Sequence, residues 1–98
     1  MIDATEEALS FTSGISRQEF SSNRMLILSV IKDIEIIGEA ASRVTSDTKT
    51  DYPKIPWKDI ILMRNRLIHG YFDVDISLVW NTVEQDLPEL LQMLKKIT

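Results

Sequence analysis

The sequence predicts an all-α protein, one domain over residues 1–98 folded as an up-and-down bundle of four helices. Three observations predict it. Apolar residues return every three or four positions along most of the chain, the spacing of one buried stripe on a helix. Proline and glycine number three each in 98 residues, so turns and long loops are scarce. The polar gaps between periodic segments are short, as between antiparallel neighbours in a bundle. A chain of this length supports a single core but not a deep one.

Met1–Ser13 reads as the first helix, with Ile2, Leu9 and Phe11 apolar beside Asp3, Glu6 and Glu7. Gly14 closes it, because a residue without Cβ accepts the left-handed backbone that follows a helix end. Ser16 and Glu19 have capping-box spacing, which places a short helical turn over Ser16–Phe20. The next long helix covers about Ser22–Val44, where Ile27, Val30, Ile31, Ile34, Ile37, Ala41 and Val44 form the stripe. Their β-branched side chains suit a strand, but the period is near 3.5 rather than two. Gly38, Ala40 and Ala41 in that helix imply the close approach of another helix. The stripe of isoleucines and small residues is also the face expected to pair in a homodimer.

Thr45–Lys54 is polar and reads as a loop. Pro56 then opens the third bundle helix from a position where its missing N–H costs nothing. Ile60, Leu62, Met63, Leu67 and Ile68 make its apolar side, Gly70 its stop, and Tyr71–Val74 a tight connection. Asp75 is a good N-cap for the last helix, Ile76–Lys96, whose stripe is Ile76, Val79, Val83, Leu87, Leu90, Leu91 and Leu94. Pro88 inside it predicts a kink.

Composition removes several classes of function. Without cysteine there is neither a disulfide nor a thiol nucleophile, and one histidine disfavours a zinc site; no metal or cofactor is expected. No leader-like segment and no apolar run near the length of a membrane span stands in the sequence, so a soluble cytoplasmic protein away from membranes is expected. The net charge of −4, taken as an average, argues against nucleic acid as a partner, and no DNA is expected, yet the charge is uneven. Residues 54–71 hold Lys54, Lys58, Arg64 and Arg66 against Asp59 alone, a local +3 between acidic flanks. Local field rather than net charge steers a polyanion.

That basic island contains Arg64-Asn65-Arg66-Leu67-Ile68-His69-Gly70-Tyr71, with the chain's one histidine. An imidazole can move a proton near neutral pH and a guanidinium can hold phosphate charge, which together suffice to cleave a phosphodiester without metal. In that reading His69 is general base or acid for a ribose 2′-hydroxyl attacking the adjacent phosphate, so RNA is the substrate. Arg64 stabilises the phosphate, Asn65 orients, and Arg66 and Lys58 contact the RNA backbone. The same spacing also describes a histidine at a helix carboxyl end beside solvated arginines. Geometry constrains the pair, since positions five apart lie about 140° apart around a helix. Either the helix loosens at Gly70, or a second subunit lends its own motif. Trp57 and Trp80 are read as core or dimer anchors, and Glu35 and Glu39 as a solvated face or a pairing with Arg43 rather than a metal site.

Three strings together resemble the HepT-like branch of the HEPN domains over essentially the whole chain. They are EIIGEAASRV at 35–44, YPKIPWKDIILMRNRLIHGYFDVD at 52–75 and VWNTVEQDLPELL at 79–91. The middle one carries the family motif of Arg, four residues, His, one residue, Tyr, met by Arg64, His69 and Tyr71. The resemblance implies a HEPN-like bundle that dimerises to bring two motifs into one cleft, and a metal-independent endoribonuclease acting as the toxin of a type VII toxin–antitoxin pair. It implies Arg64 and His69 as catalytic residues and Asn65 as their polar neighbour. It further implies an MntA-like minimal nucleotidyltransferase as antitoxin, which transfers AMP to Tyr71. A non-catalytic recognition or scaffold subunit for such a nucleotidyltransferase is the alternative.

Overall fold

The computed structural model describes residues 1–69 and 75–97, without the side chains of 67–69. The described residues are helical with no strand. In chain order they form α1 (Ile2–Thr12), α2 (Arg17–Ser21), α3 (Arg24–Arg43), α4 (Ser46–Asp51), α5 (Trp57–His69), α6 (Ile76–Asn81), a π-helical turn (Thr82–Asp86) and α7 (Leu87–Ile97). The Cα atoms extend over 42 × 28 × 17 Å, a slab rather than a square bundle.

Local chemistry sets most boundaries. Gly14 has φ +74° after α1, the left-handed backbone that glycine adopts at no steric cost. Ser16 Oγ accepts from Glu19 N–H at 3.1 Å and starts α2. Asn23 Oδ1 accepts from Leu26 N–H at 3.1 Å and starts α3. Asp75 caps α6 by accepting from Leu78 N–H at 3.1 Å. These are the orphan donors of first helical turns, satisfied by short polar side chains. Gly70 and the expected connection 71–74 lie outside the described residues.

Helix α3 is the spine, with α1 on one flank and α5 on the other. Its stripe of Ile27, Val30, Ile31, Ile34, Ile37 and Ala41 is buried inside this one chain. From the last segment Val79, Val83, Leu87, Leu90 and Leu94 close the core. Phe20, from α2, is fully buried and packs on Trp80 with ring centroids 5.2 Å apart and planes tilted by 45°. Trp57 is also core, its Nε1 donating to the Tyr52 carbonyl at 3.1 Å.

Four expectations need correction. Thr45–Lys54 is not all loop, because α4 forms there on a Thr45 cap that accepts from Thr48 N–H at 3.2 Å. Leu62 is not on the apolar side of α5; it is 46% exposed, whereas Trp57 and Ile60 are buried and Arg64 lies against Gly38 of α3. The isoleucine stripe of α3 is consumed by the chain's own core, so it is not a spare surface. What α3 leaves outside is Met25, Leu28 and Ile36. The kink expected at Pro88 takes the form of a π turn just before it, with Leu87 N–H reaching back to the Thr82 carbonyl. Proline has no N–H to give and its ring crowds the carbonyl four residues earlier, and a wider turn relieves both.

Candidate functional site

Arg64 occupies a core-facing position of α5, where the stripe would otherwise carry an aliphatic residue. Its stem lies on Gly38 of α3. A Cβ built on Gly38 would stand 2.3 Å from Arg64 Cβ, 2.8 Å from Cγ and 3.0 Å from Cδ, so any side chain there forces the helices apart. The close approach expected from Gly38 is therefore the packing of an arginine stem. The Arg64 side chain is 18% exposed, and its head emerges at the edge of the α3–α5 seam.

Two groups hold that head. Asn65 Oδ1 accepts from Arg64 Nε at 3.1 Å and from Nη2 at 2.8 Å. Glu39 Oε2, from α3, accepts from Nη1 at 2.6 Å. Glu39 uses its other oxygen for Arg43, whose Nε and Nη2 lie 3.1 and 2.9 Å away. The expected Glu39–Arg43 pair is thus present, and the same carboxylate reaches Arg64, a contact that the sequence reading missed. Gly38 beside Glu39 was the available signal, because a small residue in a helix marks where a neighbour comes within reach of the next side chain.

The seam opens into a groove of about 630 Å³ lined by Lys32, Glu35, Ile36, Glu39, Arg43 and Arg64. Glu35 Oε1 is buried there with no partner among the described residues, while Oε2 lies 3.9 Å from Lys32 Nζ.

The other predicted residues divide. Lys58, Asn65 and Arg66 lie on α5, Lys58 and Arg66 being exposed and Asn65 half-buried. His69 is the last residue of α5, with its side chain outside the described set, and Tyr71 lies outside it altogether. The helix runs unbroken from Trp57 to His69, so positions 64 and 69 keep their separation of about 140° around the axis. The loosening expected at Gly70 lies outside the described residues. At about 100° per residue, position 69 shares a side of α5 with Lys58, Leu62 and Asn65 rather than with Arg64. Asn65 stands between the two directions, with its Oδ1 on Arg64 and its Nδ2 bonded to no described group.

This arrangement gives an oriented, partly desolvated guanidinium at the mouth of a groove. A guanidinium offers five N–H donors. Three are engaged by Asn65 and Glu39, and among the described residues none takes the other two, one on each terminal nitrogen.

Comparison with known proteins gives a single family. The model for the HepT-like ribonucleases (Ribonuclease HepT-like) matches residues 1–97. A candidate RNase of Methanocaldococcus jannaschii is 37% identical over 90 residues, covering 92% of this chain and 83% of that one. Another candidate RNase of the same organism is 34% identical over 97 residues, covering 99% and 80%. A candidate ribonuclease HepT of Thermococcus cleftensis is 38% identical over 95 residues, covering 97% and 86%. No solved structure matches the chain. Among the described residues no helix is long and apolar enough to cross a membrane.

Proposed function

The chain belongs to the HepT-like ribonuclease family, and on that premise we propose that it is a metal-independent endoribonuclease acting as a dimer. The observation that carries the reading is Arg64, held in the α3–α5 seam with a donor on each terminal nitrogen that no described residue takes. A phosphate at the groove mouth meets a preset cation, and a preset dipole or charge stabilises a transition state without reorganising. His69 removes the proton of the ribose 2′-hydroxyl, whose oxygen attacks the adjacent phosphorus. The bond from phosphorus to the 5′-oxygen breaks, and an imidazolium supplies the proton to the departing 5′-hydroxyl. The products are a 2′,3′-cyclic phosphate and a 5′-hydroxyl end.

A second copy supplies what one helix cannot. With α5 regular through His69, the imidazole that serves Arg64 comes from the partner's motif. Met25, Leu28 and Ile36 recur along one side of α3, a side that continues into Glu39 and Arg43. Pairing two such faces covers exposed apolar surface and brings two Arg64 groups toward one cleft. A donor from the partner would also satisfy Glu35 Oε1.

The finer regulatory reading is a toxin silenced by AMP on Tyr71, transferred by an MntA-like minimal nucleotidyltransferase. Each AMP adds at least one phosphate charge and a nucleoside near the groove that receives RNA phosphate. Repulsion and occlusion then act together.

The test is cleavage of tRNA and mRNA in EDTA by the wild-type chain beside H69A and R64A. Cleavage by wild type alone is expected. Equal cleavage by all three, or none by the unmodified wild type, defeats the enzymatic reading and leaves a scaffold subunit. Co-expression with the nucleotidyltransferase should add multiples of one AMP to the intact mass, and Y71F should abolish the shift.

A further inference from the structure

We propose that Glu39 is a positioning residue for the reaction, a carboxylate that fixes the Arg64 guanidinium so that its remaining donors face substrate phosphate. The proposal rests on the reading of Arg64 as the phosphate-binding group.

The contact is not an ordinary surface ion pair. Exposed pairs contribute little because water and salt screen them and both side chains must be ordered. Here the cation side is already ordered, since the Arg64 side chain is 18% exposed and its stem is packed on Gly38. The Nη1–Oε2 separation of 2.6 Å is that of a strong charge-assisted hydrogen bond. Arg43 grips the second oxygen with two nitrogens, so the carboxylate cannot rotate freely away from Arg64. Arg43 itself is 78% exposed, and it acts as a stay for Glu39 rather than as a second anchor for Arg64.

The donor pattern explains why three residues share the task. Asn65 Oδ1 alone spans Nε and Nη2, one edge of the planar guanidinium, and leaves rotation about the last side-chain bonds loosely held. Adding Glu39 at Nη1 pins the plane from a second helix. A guanidinium pinned at two places presents its remaining N–H groups in one direction. Gly38 sets the depth of the stem, Asn65 the edge, and Glu39 the twist.

A carboxylate on a phosphate-binding arginine invites the opposite reading, a resident anion that substrate must displace. The two differ in sign. A positioning residue lowers the rate when removed, whereas a competitor raises it.

The experiment measures kcat and KM for a fluorogenic RNA with the full-length wild type, E39Q, E39A and R64A, beside their melting temperatures. E39A should lower kcat by roughly 10–100-fold, the scale of a misplaced catalytic group, with a smaller rise in KM. E39Q keeps an acceptor of the same reach but no charge, and its kcat should fall several-fold and lie between wild type and E39A. In ¹⁵N spectra the Arg64 Nη signals should be resolved by restricted rotation in wild type and broadened in E39Q. An inactive R64A with E39Q and E39A at the wild-type rate overturns the role of Glu39 alone. Faster cleavage by E39A overturns it in favour of competition. Should E39A melt early, E39Q decides, and an unchanged kcat with unchanged Nη signals overturns the proposal. An R64A that still cleaves RNA defeats the underlying reading of Arg64 instead.

Discussion

Two carboxylates on α3, six residues apart, occupy different flanks of the helix and meet opposite circumstances. Asp33 points into the interior on the α1 side, 2% exposed, with Oδ2 lacking any partner among the described residues. Burial first, then the hydrogen bond and charge of Glu7, raise its pKa from 3.8 to about 7. Glu39 lies in the α3–α5 seam between two arginines, with about half of its side chain in water. One acid is buried beside another carboxylate and resists ionisation; the other is tied to two cations by short bonds. The same residue class therefore costs stability in one seam and organises a site in the other. The packed neighbour decides, through desolvation at Asp33 and through fixed donors at Glu39.

The largest break in this contrast comes at the seam with Arg64. R64A should reduce RNA cleavage by about 10²–10³-fold, as loss of a transition-state donor does, with the fold retained by circular dichroism. Retained activity would strip the seam of its catalytic meaning. Next is G38A, which places a methyl where Arg64 Cβ already stands. The helices must separate, costing about 1–3 kcal/mol of overpacking, and cleavage should fall together with the melting temperature. An unchanged melting temperature would show that α3 and α5 are not in such close contact.

The third prediction concerns the α1 seam and pH. The folded-state pKa of Asp33 lies above 3.8, so the unfolded chain gives up this proton first. Its contribution to stability is greatest below about pH 4, declines as pH rises toward about 7, and is fully lost above that. D33N should raise the melting temperature at pH 8, change it little at pH 4, and flatten the slope between. Calorimetry over that range checks it, and a D33N protein that melts lower at pH 8 would count against the assignment. Smallest are K58A and R66A on exposed positions of α5. Each should weaken RNA binding modestly and reduce the salt slope of binding by about one, without changing which site is cut.

The parts of the fold that could be read from the chain are those whose signal is local and apolar. The α3 stripe and the line Val79, Val83, Leu87, Leu90, Leu94 are legible because each side chain's burial follows from its place in the period. The caps at Ser16 and Asp75 are legible because the donors they satisfy lie three residues ahead. Helix α4 was not, since it has no fully buried residue and periodicity has no apolar residue to detect. Arg64 was legible as a residue of interest but not as a core-facing one. A cation in the stripe position breaks the very pattern used to find the stripe.

By itself, then, the chain determined that it would be helical, where most helices begin and end, and that its one local excess of positive charge falls on the segment with Arg64, Asn65 and His69. Those outcomes follow from interactions between residues a few positions apart. Tertiary packing alone decided that Arg64 lies on Gly38, that Glu39 twenty-five residues away holds it, and that Asp33 is sealed against Glu7. A guanidinium's orientation and a carboxylate's proton affinity depend on what another helix brings within a few ångströms, and no local spacing encodes that distance.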